Sequence, residues 1–209
     1  MKLALFGATG LTGPSVLREA LARGHHVRAL ARKPEAITTT HERLTVLRGD
    51  ALHPGDVEAC VAGCDAVVHC LGVGGRGDGK PTTLVSESVA LLLPIMQAQG
   101  ARRLIVMSNL GAGGSGPWWM RKIAIPVLVR WLAPIVEDKD RTAAILRSSE
   151  VEWIAPRFPA IVEGPAKPVR TSADGRRIGF RITTGSCAAF LLDHLADSPH
   201  LRAAPSVSN

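Results

Sequence analysis

Residues 2–21 read KLALFGATGLTGPSVLREAL, and the fold turns on what Gly7, Gly10 and Gly13 do there. An apolar run, residues 3–6, ends on Gly7, as a strand buried on both faces does. Beyond the turn, Val16, Leu17, Ala20 and Leu21 recur at helical spacing until Gly24 stops the helix. The three glycines therefore stand in a strand-to-helix turn, the setting in which such a pattern holds a dinucleotide's pyrophosphate. Each has its own task. Gly7 permits the tight turn, Gly10 lets the backbone approach the phosphates, and Gly13 lets helix and strand pack closely. The helix start adds free N–H groups and a positive dipole end. Thr9 and Thr12 offer hydroxyls, and Ala8 and Leu11 complete the loop.

Outward from this turn, strands and helices alternate. HVRALA (26–31), RLTVLRG (43–49), DAVVHCLG (65–72) and RRLIVMS (102–108) read as strands. DVEACVAG (56–63) and TTLVSESVALLLPIMQAQG (82–100) read as helices. Alternation of this kind requires parallel pairing through right-handed crossovers. The fold class is α/β, a doubly wound parallel sheet of Rossmann type. The second half is less regular. DKDRTAAILRSS (138–149) reads as a helix, EWIAPRF (152–158) as a strand, and residues 183–199 as a helix capped by Thr183 or Thr184. With no repeat and no linker, residues 1–209 read as one NAD(P)-binding domain, its irregular portion of about 111–182 forming the substrate side.

The end of the second strand selects the cofactor. A carboxylate there would take the ribose 2′-hydroxyl of NAD. The chain instead reads Ala31-Arg32-Lys33-Pro34, with no acid before Glu35. Two cations suit a 2′-phosphate, so NADP(H) is the expected cofactor; a solvated basic turn is the other reading. Asp50 also has two readings, as acceptor for an adenine amino group and as cap of the following turn. Leu71 and Gly72 end the fourth strand, where a small residue lets the chain pass over the cofactor.

The 209 residues are 46% hydrophobic with mean hydropathy +0.15, enough to bury a core. The formal charge of +7 suits an anionic ligand. No Lys/Arg run exceeds two residues and the aromatics are not interleaved with them, so nucleic acid is not an expected partner. The first apolar run is too short for a signal peptide, and a cytoplasmic location is expected. Residues 117–136 are apolar, but Arg121, Lys122, Pro126, Arg130 and Pro134 argue against a transmembrane span. Trp118, Trp119, Met120 and Trp131 make this segment a lid over a flat aromatic ligand, a piece of core, or a homodimer contact. Cys60, Cys64, Cys70 and Cys187 lack zinc-site spacing and read as buried thiols, so no metal is expected. His69, inside a strand, reads as a buried hydrogen-bonded histidine, and His194 receives no role.

Taken together, FGATGLTG, GDALHPGDVEACVAGCDAVVHCLG, PTTLVSES, RLIVMSNLGAG, EDKDRTAAILRSSEVEWIAPRF and IVEGP resemble the atypical short-chain dehydrogenase/reductase superfamily. Within it the chain is most similar to the NAD(P)H-binding branch of biliverdin reductase B, which also reduces flavins. The resemblance covers about residues 3 to 165, with a weaker echo near the C-terminus. It implies that residues 7–13 hold the pyrophosphate and Arg32, with Lys33 beside it, the 2′-phosphate. Asp50 and Ala51 would flank the adenine, and Leu71 and Gly72 the ribose. Ser108 and Asn109 would approach the nicotinamide, whose far side Phe158, Pro159, Ala160 and Ile161 would line.

Catalysis departs from the superfamily pattern. Its usual acid is a Tyr four residues before a Lys; Lys139 is in place, but position 135 is Ile and the chain has no tyrosine. The usual serine becomes Asn109, leaving Ser108 nearby, and the branch's Arg-Pro becomes Arg157-Phe158. Ser108 and Asn109 are expected to orient the carboxamide or substrate. Lys139 either binds ribose hydroxyls or is an exposed helix lysine paired with Glu137 or Asp140. The function these residues support is an NADPH-dependent oxidoreductase passing hydride to a conjugated acceptor such as a flavin or quinone, where solvent can supply the proton. A non-catalytic NADP(H) sensor is the alternative. A sugar-nucleotide epimerase or dehydratase shares the fold, but the chain lacks the acid and is short for a substrate domain.

Overall fold

The computed structural model describes residues 1–73, 79–116 and 130–209. Strand β1 (Lys2–Phe6) sets the layout, because its alternate side chains enter different cores: Leu3 and Leu5 one, Ala4 and Phe6 the other. A strand apolar on both faces can sit only at the centre of a three-layer sandwich. Around it, β2 (His26–Ala31), β3 (Leu44–Arg48), β4 (Ala66–His69), β5 (Arg103–Val106) and β7 (Glu152–Ile154) form one parallel sheet in the order β3-β2-β1-β4-β5-β7. Helices α1 (Gly13–Ala22) and α5 (Thr184–Asp193) pack on the Leu3/Leu5 face. The opposite face is covered by α2 (Pro54–Val61), α3 (Leu84–Gln99) and α4 (Ala133–Arg147). The strand order reverses between β1 and β4, and at such a switch point a crevice opens beyond the carboxyl ends of the strands. The doubly wound α/β architecture expected from the sequence is the one observed.

Two stretches read as single strands change sheets midway. After β5 the chain leaves the large sheet at Met107, and Ser108–Asn109 (β6) pairs with Arg157–Phe158 (β8). EWIAPRF is likewise divided at Pro156 into β7 and β8, since a proline offers no donor to the ladder. A small sheet, β10-β12-β8-β6, is completed by β10 (Arg170–Ser172) and β12 (Ser206–Ser208), while β9 (Ala160–Val162) pairs with β11 (Arg181–Thr183). The sequence reading lacks β9 to β12. In β12 the buried residues are Ser206, Val207 and Ser208, so no apolar run marks a strand at all. Helix α4 starts at Ala133, earlier than expected, because Pro134 falls in its first turn, where a missing N–H costs nothing. Helix α5 ends at Asp193, short of residue 199, and Thr183 caps it by accepting from the Ser186 N–H at 3.2 Å.

Candidate functional site

The glycine turn is built by close backbone approach. Gly7 has φ +83°, and a Cβ there would stand 2.7 Å from the Cys70 carbonyl group at the end of β4. At Gly13 a Cβ would fall 2.1 Å from the Gly7 oxygen and 2.6 Å from the Ala8 carbonyl carbon, so only glycine lets α1 start against β1. Gly10 differs. Its nearest protein atom would be the Gly7 oxygen at 3.5 Å, ordinary contact, so the fold itself does not require glycine there. The N–H groups of Leu11, Thr12 and Gly13 find no acceptor among the described residues, whereas Gly10 N–H donates to Gly7 at 3.1 Å. These are the donors a helix start offers an anion. Thr9, Gly10 and Leu11 are exposed and Ala8 and Thr12 buried, so the surface hydroxyl of this loop is Thr9's.

The turn stands where two clefts meet. One, of about 190 Å³, runs over the carboxyl ends of β1 to β4 and is lined by Gly7, Thr9, Gly10, Arg32, Asp50, Ala51, Leu71 and Gly72, with Cys70, Leu30 and Leu84. The other, of about 660 Å³, again touches Thr9 and Gly10 and continues over Leu11 and Arg18 of the α1 side to residues 163–165 and Thr184. Two clefts meeting at a phosphate-type turn suit an elongated ligand with its charge in the middle. After β2, Glu35 is engaged by Arg48 at 3.2 Å, and no ion pair takes Arg32, which lines the first cleft, or Lys33 among the described residues. Asp50 accepts from the Leu52 N–H at 2.9 Å, so it caps its turn while also facing the cleft. Pro159, Ala160 and Ile161 lie along or beside β9 and are not among the lining residues of either cleft. Glu163, Gly164 and Pro165 are; the IVEGP motif contains them, but Ile161 is its one residue with an expected role.

Lys139 is buried, not an exposed helix residue paired with Glu137 or Asp140. Its Nζ donates to the Met107 carbonyl at 2.7 Å and more weakly to that of Leu71 at 3.5 Å, tying α4 to the chain leaving β5 and β4. Asp138, 1% exposed, fixes this placement by capping α3 from outside: it accepts from the N–H groups of Val85 (2.9 Å) and Ser86 (3.1 Å) and from the Ser86 hydroxyl (2.5 Å). Ile135 lies one turn before Lys139 on α4 and is half-buried. Ser108 and Asn109 are half-buried on β6, directly after Met107. His69 is fully buried against the Ser88 hydroxyl at 3.0 Å, and burial with the nearby Lys139 charge lowers its pKa to about 3. It is a neutral core histidine. Burial pushes the Cys70 thiol up to about 12, so it faces the cleft protonated. Trp131 is half-buried in a short turn, Arg130–Leu132; Trp118, Trp119 and Met120 lie outside the described residues. Among the described residues no helix is long and apolar enough to cross a membrane, and no cluster of metal-binding side chains occurs.

Burial also lowers the Lys139 ammonium from 10.5 to about 8, against the pull of Asp138. Between those values the unfolded chain holds a proton the folded chain lacks, so this group's contribution to stability rises with pH across that window. Below pH 8 the cost of the buried ammonium is fully present. Wild type minus Lys139→Met, compared as urea unfolding free energies without cofactor, is therefore expected to rise from pH 8 to 10.5. A difference flat with pH would remove this account of Lys139.

A parallel sheet of this order, with a glycine turn at its switch point and two cations following β2 that no described residue pairs, defines a dinucleotide-binding Rossmann protein. The chain belongs to the NAD(P)H-binding family, which it matches over residues 7–198. Cinnamoyl-CoA reductase 1 of Oryza sativa subsp. japonica is 32% identical over 120 residues, which are 53% of this chain and 35% of that protein. The chain thus spans about a third of that relative's length. A short-chain dehydrogenase/reductase from Veillonella parvula, solved with NADP, is alike in fold at TM-score 0.79 and 20% identity, over 100% of this chain and 94% of that one. An anaerobilin reductase (ChuY) from Escherichia coli O157:H7 gives TM-score 0.80 at 20% identity, over 100% and 97%.

Proposed function

We propose that the chain binds NADPH along the two joined clefts and passes hydride to a conjugated acceptor such as a flavin or quinone. The observation that carries this is Gly10: a glycine the fold does not need, at the junction of two clefts, beside N–H donors that nothing among the described residues uses. In this reading residues 7–13 hold the pyrophosphate, Arg32 and Lys33 the 2′-phosphate, Asp50 and Ala51 the adenine, and Leu71 and Gly72 the ribose. Bound nicotinamide supplies two-electron hydride chemistry. Ser108 and Asn109 orient the carboxamide or acceptor, and the Lys139 ammonium presents its remaining N–H to ribose hydroxyls. The second cleft, with residues 163–165 and the flanking segment 159–161, forms the substrate side of a single domain. An electron-poor ring accepts hydride without a positioned acid, which fits a chain with no tyrosine and Ile135 in its place. Proximity and exclusion of water then carry the rate. That same missing acid favours the alternative, a binding protein that senses NADP(H) without turning it over.

The test separates them. Arg32→Ala is expected to weaken NADPH about 10- to 100-fold, the range of one charge-assisted hydrogen-bond pair, and leave NADH unchanged. Thermal shifts with both cofactors measure it, and equal stabilisation of wild type by NADPH and NADH would refute the 2′-phosphate site. NADPH oxidation with FMN, riboflavin or menadione supports the reductase; tight binding without turnover across that panel leaves the sensor.

A further inference from the structure

A third cavity, of about 250 Å³, lies outside the cofactor clefts and shares no lining residue with them. Its place follows from the topology. Strand β7 is the outer strand of the large sheet, and Ala203 bridges Ile154 beyond it, so the chain entering β12 leaves a hollow between that edge and the small sheet. The walls are Arg157 of β8, Thr171 of β10, His200 and residues 203–205.

Arg157 brings a positive charge to these walls and is half-buried. Its guanidinium meets the protein through one long hydrogen bond, Nη1 to the Ala173 carbonyl at 3.4 Å, and no carboxylate lies within ion-pair distance among the described residues. Most of its five donors are therefore unused. Asp140 attracts it only from a distance while accepting from the Gly113 N–H, and Arg147 repels it. Asp174, which follows the lining residue Ala173 in the chain, accepts from the Ser172 hydroxyl at 2.8 Å and the Arg176 N–H at 3.0 Å. The His200 ring stacks on Phe190 at 6.0 Å, and its nitrogens have no partner among the described residues. Burial and the neighbouring His194 lower its pKa, so at neutral pH it is an uncharged donor. Ala203, Ala204 and Pro205 add an apolar wall.

We infer that this cavity binds a small organic carboxylate: the Arg157 guanidinium takes the carboxylate in a fork, His200 donates to it, and residues 203–205 cover a short apolar body. One guanidinium beside an uncharged imidazole matches one negative charge. A phosphate dianion would keep an uncompensated charge against alanine and proline, which disfavours it.

Benzoate is the probe, with benzamide as its uncharged isostere and inorganic phosphate as the competing anion. Calorimetric titration of the full chain is expected to show benzoate binding at least tenfold tighter than either. Arg157→Gln should weaken benzoate at least tenfold and leave NADPH-induced stabilisation intact. Should that variant fail to fold, Thr171→Phe, from an exposed strand position, fills the mouth and should block benzoate with Arg157 in place. The inference is overturned by undetectable benzoate binding, by equal binding of benzamide, by preference for phosphate, or by displacement of benzoate on adding NADPH.

Discussion

Gly10→Ala is expected to melt close to wild type without cofactor and to lose nearly all stabilisation by NADPH, while Gly13→Ala is expected to be destabilised before any ligand is added. The contrast comes from what each Cβ meets. At Gly13 the new atom would stand 2.1 Å from one backbone atom and 2.6 Å from another, and backbone cannot rotate away as a side chain can. Overpacking of that kind costs about 1–3 kcal/mol or more. At Gly10 the nearest atom stands at 3.5 Å, so the apo change should stay within about 0.5 kcal/mol. With NADPH at a hundred times its Kd, wild type gains about 2.7 kcal/mol, and a hundredfold weaker variant keeps only about 0.4. Thermal and urea unfolding of both variants, with and without NADPH, reads the two effects apart. A Gly10→Ala protein that keeps the full NADPH shift would mean the pyrophosphate lies elsewhere, and the joined-cleft reading would go with it.

The fold was legible where one signal decided it. β1 and α1 flank three glycines whose spacing has a mechanical reason, and β2, HVRALA, spans the same residues in sequence and structure. What the sequence concealed lies where hydrogen bonding between distant segments, not periodicity, makes the element. β12 is Ser-Val-Ser with all three residues buried, held between β10 and β8. β9 and β11 pair across some twenty residues that carry no apolar alternation. Helix α4 reaches back to Ala133 because proline, which ends a helix in its interior, opens one in its first turn, where Pro134 stands. Within the candidate site, the positions around the first cleft were readable because strand ends at a switch point face the crevice. Lys139 was readable as a residue but not as an environment: Glu137 and Asp140 are its sequence neighbours, yet its contacts are carbonyls of Met107 and Leu71, 32 and 68 positions away. The Arg157 cavity had no sequence signature, since its walls come from β8, β10 and the approach to β12.

Asp138→Ala is expected to be the most destabilising single change near the site. Helix α3 has no side-chain cap of its own at Thr83, and Asp138 of α4 supplies one across the helix pair. Removing the carboxylate strands the Val85 and Ser86 N–H groups in a place water does not reach, while the Ser86 hydroxyl keeps the Thr83 carbonyl at 3.1 Å; each buried unsatisfied donor costs on the order of 1–3 kcal/mol. The sum should lie near 3–5 kcal/mol, the range for breaking a buried charged network. Asp138→Asn keeps one acceptor but turns an amide donor toward the same N–H groups, so it should fall between wild type and alanine. Ser86→Ala, which removes one partner and leaves the carboxylate two donors, should cost only about 1 kcal/mol. The loss should also reach the cleft, because Leu84 at the start of α3 lines it and Lys139 follows Asp138 on α4. NADPH affinity of Asp138→Asn is therefore expected to fall along with stability, whereas Ser86→Ala keeps both nearly intact. Urea unfolding and NADPH titration of the three variants measure this, and an Asp138→Ala protein within 1 kcal/mol of wild type (about the size of an ordinary surface change) would show that α3 is capped by something other than α4.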